Sequence, residues 1–478
     1  MPSHLPDAPP QSERTAVSGC TSRVPPGTDS RLSPPPIVRS RKSLRTTDSP
    51  INFYIQKALE TPGLISLAAG LVDEGSLPCE AVAQACQAVL LDPRRGPAAL
   101  QYGSTQGLPR LREQVLHLLG QADGCSPHEL NLTPDDVVLT TGSQQLLYLL
   151  AEVLLDPGDI VLTEAPSYFV FHSVLQSHGV QVLGVPVDEG GLCLPALEEL
   201  WEQLARQGAA ERVKLLYTVD YFQNPTGWTL AAERRPQLLE LVQRFSRRQR
   251  VLVVEDAAYR ELRYEGPDLP SLKSLDRDNR WVVYAGTFSK PCAPGLKCGY
   301  ALLPPEIREP ILHLKGNHDF GSAHLVQHLL AELIDRGEYQ RQRDRLRPLY
   351  RHKRDVMLDE LAATLGQEAG IRWSRPAGGL YVWLAFADLD TGPQGALAQA
   401  ALEEGVLYVP GEFAYLPADG ERPPHHACRL SFGVATPEQI REGIRRLHRA
   451  VRRVRHSTGT ASAGQLNSPA VPPRGTVA

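Results

Sequence analysis

Through the middle of the chain two hydrophobic rhythms alternate. "LPRLREQVLHLLGQ" carries apolar residues at Leu111, Val115 and Leu118, the spacing that lays one stripe along a helix, and "SQQLLYLLAEVLL" repeats it. Between and after these stretches come short β-branched runs closed by turn residues: "DVVLTTG", "DIVLTEAPSY", "VKLLYTVDYFQNPTG", "VLVVEDAAY", "WVVYAGTFSK" and "CGYALLP". Strands separated by helical stretches predict an α/β fold with a mainly parallel sheet covered on both faces. The last third changes character. "RPAGGLYVWLAF" and "ACRLSFG" read as strands of a smaller α+β unit, closed by the helix "TPEQIREGIRRLHRAVRRVR". That helix has Thr436 as N-cap, Pro437 in its first turn and the stripe Ile440, Ile444, Leu447, Val451, Val454.

Residues 1–45 and 457–478 are rich in Pro, Ser and small polar residues and have no such rhythm, so both are expected to be disordered tails. Between them the expected organisation is an N-terminal arm and part of a small domain (46–85), a large domain (86–335) and a C-terminal small domain (336–456). With 42% hydrophobic and 22% charged residues the chain can bury a sizeable core. A net charge of -4 gives no electrostatic reason to expect nucleic acid or an anionic membrane as partner. No run approaches the ~18 apolar residues of a membrane helix. The eight cysteines are scattered without a CxxC pair, the usage of a reduced cytoplasmic protein with neither a disulfide framework nor a metal site.

Candidate chemistry gathers at the C-terminal ends of the strands, where open α/β sheets build ligand sites. Gly142, Ser143 and Gln144 stand at a strand-to-helix junction, whose free N–H groups and dipole favour a phosphate. Asn224 precedes Pro225 in a tight turn. Asp256 ends an apolar strand with Tyr259 three residues on, and a carboxylate so placed needs a cationic or proton-donating partner. Thr287 and Ser289 flank the approach to Lys290, and a second lysine, Lys297, follows seven residues later. Phosphate donors, an amide, a carboxylate, a phenol and a buried lysine, in that order, match what pyridoxal 5'-phosphate requires.

With "QNPTG", "VEDAAY" and "TFSKPCAPGLKCGY" spaced as they are, the chain resembles a fold-type-I, PLP-dependent aminotransferase of the class I/II superfamily over residues 50–455. The opening of the folded part and "YGSTQG" are similar to the 2-aminoadipate, aromatic and kynurenine-type subgroup. The resemblance implies a three-layer large domain with a smaller α+β domain, and transfer of an amino group from an L-amino acid with a bulky or long side chain to a 2-oxo acid by ping-pong exchange. It implies that Lys290 is the catalytic lysine that bonds the cofactor and shuttles the α-proton. By the same likeness Asp256 pairs with the pyridine nitrogen, Asn224 and Tyr259 hold the ring oxygen, and Tyr168 stacks on the ring. Gly142, Ser143, Gln144, Thr287, Ser289 and Lys297 surround the phosphate. Arg429, with Gly70 and Asn224, binds the substrate carboxylate. Tyr102 reaches the phosphate of a neighbouring subunit, which implies a homodimer with shared active sites.

The chain departs from the family pattern in four places. Lys297 stands where an arginine is usual, Asp220 and Tyr221 replace small or apolar residues, Ala69 replaces glycine, and "GNHDFGSAHLVQ" around Asp319 to Ser322 is unusual. Two other readings remain open at this stage. A lyase, cyclase or synthase would use the same residues. A regulator with an aminotransferase-like domain would carry a winged helix, for which residues 1–45 are too short and too rich in proline.

Overall fold

The computed structural model describes residues 37–47, 54, 56–57, 60–416 and 421–464. Its main sheet has eight strands: β2 (Val137–Thr140), β3 (Ile160–Ala165), β4 (Gln181–Asp188), β5 (Gly191–Leu192), β6 (Val213–Thr218), β7 (Leu252–Asp256), β8 (Val282–Thr287) and β9 (Gly299–Leu302). They lie in the order β2-β9-β8-β7-β6-β3-β4-β5. The pairs β8–β7, β7–β6, β6–β3 and β3–β4 are parallel. Strand β9 runs against both of its neighbours, so β2 regains the common direction. Every residue of β2, β7 and β8 is buried, because helices cover both faces and leave neither side of these strands to solvent. All six strands named in the sequence reading form. Strand β4, which is mostly half-exposed or exposed, was not named: Leu183, Val185 and Val187 alternate along it, but Gly184 and Pro186 between them read as turn residues.

Beside the main sheet are a parallel pair, β1 (Ile65–Ser66) with β12 (Val406–Leu407), and a four-stranded antiparallel sheet in the order β10-β11-β14-β13. Here β10 is Ile371–Trp373, β11 Tyr381–Phe386, β13 Val409–Pro410 and β14 Ala427–Ser431. In the β11–β14 register Trp383 faces Arg429, which puts Tyr381, two residues away, on the same face and diagonal to the arginine. The closing helix, Pro437–Gly464, begins at a reciprocal cap: Thr436 Oγ1 accepts from the Gln439 N–H at 3.2 Å and Gln439 Oε1 from the Thr436 N–H at 2.9 Å. Its stripe Ile440, Ile444, Leu447, Val451 and Val454 is buried as expected.

Two differences concern the tails. Arg41–Arg45, expected to be disordered, form a short helix: Lys42 donates to the Tyr148 hydroxyl at 3.0 Å and pairs with Glu152, and Arg45 Nε donates to Ser177 O at 3.0 Å. Specific polar partners, not a hydrophobic stripe, dock this piece, which is why periodicity missed it. The closing helix also continues past 456 to Gly464. The remaining expectation of disorder, for 1–36 and 465–478, lies outside the described residues.

Candidate active site

The C-terminal strand ends open into a cavity of about 290 Å³. Beyond β2, Gly142 (φ +72°) turns the chain into the helix Gly142–Leu154, and Gly142, Ser143 and Gln144 line one end of the cavity. The connection after β3 brings Tyr168, and the loop after β6 brings Asn224. From β7 come Asp256 and Tyr259, and from β8 come Thr287, Ser289 and Lys290. The return to β9 carries Lys297, in the left-handed region at φ +49°. Arg429 enters from β14 of the antiparallel sheet and Gly70 from the segment after β1. Thirteen residues expected from sequence thus converge on one cavity. A larger surface hollow, about 610 Å³, lies between the helices Leu194–Arg206 and Arg234–Phe245 and is rimmed by ion pairs such as Arg244–Glu198 and Arg248–Glu211; none of this chemistry reaches it.

Lys290 Nζ donates to the Gly70 carbonyl at 2.8 Å. Burial lowers its pKa from the ordinary lysine range; Tyr381 opposes this, and the charges of Arg429 and Lys297 reinforce it. A larger neutral fraction makes the amine a better nucleophile. Asp256, buried at the end of β7, accepts from the Tyr217 hydroxyl at 2.8 Å and from the Ala258 N–H at 3.2 Å. Burial pushes its pKa up to about 6, against the pull of those two hydrogen bonds. Thr287 Oγ1 donates to Ser289 Oγ at 2.9 Å and accepts the Ser289 N–H at 3.1 Å, which ties the residues before Lys290 into a fixed turn.

Arg429 is buried, donating from Nη1 to Asn224 Oδ1 at 2.9 Å and from Nη2 to Ala68 O at 2.7 Å. Its guanidinium lies 4.3 Å from the Tyr381 ring centroid. Its Nε is buried and has no partner among the described residues. The hydroxyls of Tyr381 and Tyr259 meet at 3.1 Å. Burial alone would raise the Tyr381 pKa, but Arg429, Lys290 and the Tyr259 hydrogen bond bring it below the ordinary tyrosine value.

Tyr102 is the expected residue that the cavity does not include: it is 79% exposed, with its ring edge-on to Phe320 at 5.4 Å. Asp220 and Tyr221, flagged as departures, also lie off the cavity. Asp220 pairs with Arg235 at 2.6 Å, both fully buried, and the Tyr221 ring has Arg235 at 4.4 Å and Arg260 at 5.0 Å. Sequence reasoning missed Tyr381, Tyr217 and the apolar wall Leu71, Phe169, Val170 and Val219. "GGLYVW" read only as a strand, though a tyrosine beside the paired glycines of a strand entrance was the one available signal.

The residues present fit pyridoxal 5'-phosphate. The first turn of the Gly142–Leu154 helix offers N–H groups without intrahelical partners to a phosphate. Asp256 is a pinned carboxyl awaiting a cation, Lys290 a depressed amine, and Arg429 an oriented guanidinium with an unpaired Nε.

Residues 62–447 match the model of the aminotransferase class I and II family, and the chain belongs to that family. It is a PLP-dependent aminotransferase with the fold-type-I architecture. Among relatives, the 2-aminoadipate transaminase of Thermus thermophilus is 36% identical over 402 residues, 83% of this chain and 92% of that protein. Aromatic-amino-acid aminotransferase 1 of Thermococcus litoralis is 32% identical over 414 residues, 86% and 94% of the two chains. A crystal structure of Pyrococcus horikoshii kynurenine aminotransferase, in complex with PMP, superposes with a TM-score of 0.78 at 34% identity, covering 87% of this chain and 97% of that one. Each is an aminotransferase, so transamination is the activity and the lyase, cyclase or synthase alternative is not favoured.

Proposed function

We propose that the amino donor is an L-amino acid with a bulky or long side chain and that Lys290 is the residue that moves its α-proton. The observation that carries the donor reading is the cavity wall. Leu71, Phe169, Val170 and Val219 are apolar, and the lining cations among the described residues are Lys290, Lys297 and Arg429, each with another task. The names of the relatives, which act on aromatic amino acids, 2-aminoadipate and kynurenine, support the same class.

When bound, the cofactor supplies an aldehyde for the amino group and a ring that accepts the electron pair left at the α-carbon. Lys290 would hold it through Nζ and, with that amine free, would carry the proton between the substrate α-carbon and the C4' carbon of the cofactor. Asp256 holds the proton on the ring nitrogen. Asn224, whose carbonyl serves Arg429, and Tyr259 bind the ring oxygen, and Tyr168 covers the ring. Gly142, Ser143, Gln144, Thr287, Ser289 and Lys297 bind the phosphate. A lysine at 297 keeps the charge without the guanidinium fork. Arg429 binds the substrate carboxylate, with Gly70 leaving it room, and the apolar wall excludes water from the reacting atoms.

The exposed Tyr102 is suited to reach the phosphate of a second copy, so the working form in this reading is a homodimer with shared sites. Residues 86–335 serve as the cofactor-binding domain, and 336–456 with 46–85 as the smaller one. The cysteines among the described residues are all unpaired, which supports a reducing, cytoplasmic setting; in this reading the enzyme serves amino-acid biosynthesis there. No helix among the described residues is long and apolar enough to cross a membrane. Arginines of the closing helix pair with Glu360, Glu404 and Asp388, which supports a solvated face over nucleic-acid binding.

The test is to add single L-amino acids to the purified holoenzyme without an oxo acid and follow conversion of the cofactor to its amine form by absorbance and mass. Donors with aromatic or long side chains are expected to convert it fastest, reversibly on adding a 2-oxo acid. Preference for alanine or aspartate would overturn the donor reading.

A further inference from the structure

The unusual segment around Asp319 closes a ring of hydrogen bonds behind the phosphate end of the cavity. Gln145, buried, accepts the Thr141 backbone N–H through Oε1 at 2.8 Å and donates through Nε2 to Asp319 Oδ2 at 2.7 Å. Ser322 Oγ donates to that same oxygen at 3.1 Å, and Thr141 Oγ1 donates to Ser322 Oγ at 3.3 Å. Asp319 Oδ1 accepts from Lys315 at 3.0 Å, and the lysine side chain is fully buried. Of the four ring members only Thr141 lines the cavity.

The ring has a direction. A carboxylate only accepts, so Asp319 must face the NH₂ side of the Gln145 amide. That leaves Oε1 turned toward Thr141. Thr141 (φ -79°, ψ 71°) and Gly142 (φ +72°) both lie outside the helical region, so the helix that follows does not set the shape of this turn, and the side chains bonded behind it can. Lys315 also neutralises Asp319, which would otherwise set a bare negative charge behind an anion site.

We infer that Gln145 and Asp319 are positioning residues for the cofactor phosphate. They fix the turn Thr141–Gln144 so that the N–H groups of Gly142, Ser143 and Gln144 converge, without touching the phosphate themselves. This rests on the reading of that turn as the phosphate cup.

The test compares how tightly the full-length protein, stripped of cofactor, binds pyridoxal 5'-phosphate and pyridoxal, which differ only in the phosphate. Two variants are used: Gln145→Met, and the charge-balanced double variant Asp319→Asn/Lys315→Met, which leaves no lone buried ammonium. The wild type is expected to favour the phosphorylated form. Both variants are expected to lose about tenfold or more of that preference while their affinity for pyridoxal stays within about twofold, because a lost buried hydrogen bond changes a binding constant by about that factor. The ³¹P resonance of the bound cofactor is expected to shift in the holoenzyme variants. If the double variant does not fold, Ser322→Ala removes a ring member without touching charge, and about a threefold loss of preference is expected. An unchanged preference, or equal loss toward both ligands, would overturn the inference. A wild type without preference would overturn the cup reading itself, whatever the variants do.

Discussion

Arg429 and Asn224, 205 residues apart in the chain, meet at 2.9 Å, with the guanidinium donating to the amide carbonyl. A second arm of the arginine is held by Ala68 O and its plane by the Tyr381 ring. The side chain proposed to bind the substrate carboxylate is therefore oriented before any ligand arrives, and in that role part of the ordering cost of binding is already met.

Replacing this fork by a point charge tests its geometry. Arg429→Lys is expected to lower kcat/KM for the amino donor about 100-fold, mainly through KM, because charge-assisted hydrogen bonds are worth about 1.5–3 kcal/mol each. Cofactor content measured by absorbance should stay at the wild-type level. A variant with unaltered KM would move the carboxylate site elsewhere.

Asp256 gives the cofactor-free protein a pH-dependent weakness. An ordinary aspartate releases its proton near pH 4, whereas burial holds this one to about 6. Between those values the folded state binds more protons than the unfolded chain, so its stability falls as pH rises, and above about 6 the loss is complete. A displacement of about two pH units is worth about 3 kcal/mol. Cofactor-free Asp256→Asn should match the wild type at pH 4 and exceed it by that order at pH 7 in urea unfolding, while binding the cofactor more weakly. Parallel stability curves would remove the assignment.

Gly70 and Tyr381 are matched in size. A Cβ on residue 70 would come within 2.7 Å of the Tyr381 hydroxyl oxygen, while the ring carbon behind it lies at 3.7 Å. Gly70→Ala is expected to cost about 1–3 kcal/mol of stability and most of the activity by displacing the tyrosine. Adding Tyr381→Phe should restore part of the stability, so the pair will be non-additive in a double-mutant cycle. Additive losses would show that the two do not touch.

The Asp220–Arg235 pair is fully buried, and Glu255 lies 3.7 Å from the same arginine. Arg235→Leu strands two carboxyl groups and is expected to cost about 3–5 kcal/mol. Thermal unfolding reads this directly. The ranking of amino donors among surviving molecules should not change, since neither Asp220 nor Arg235 lines the cavity.

Lys290, Asp256 and Ser143 were legible because each sits at a strand end, where local pattern and position say the same thing. Tyr217 and Tyr381 were not. Tyr217 lies within β6 and Tyr381 opens β11, and in a strand a tyrosine reads as core; their contacts come from partners 39 and 122 residues away. Asp220, which the sequence marked only as a departure from the family pattern, pairs with Arg235 15 residues on and away from the cavity, a partner that no local pattern reveals. The Arg41–Arg45 helix shows a further limit, since a segment docked by single ion pairs leaves no periodic trace.

Ser289, Lys290 and Lys297 all ride on the short return between β8 and β9, whose ends are clamped by the pairing of Thr287 with Gly299. In their proposed roles the reactive amine and the phosphate cation therefore share one strand-to-strand return, and a change that shifts one is expected to shift the other. Leu71 and Val170 come from separate segments with no such tie. Someone refashioning this enzyme for a different amino acid has a natural division of labour to follow: leave the β8–β9 return as found, and vary the wall.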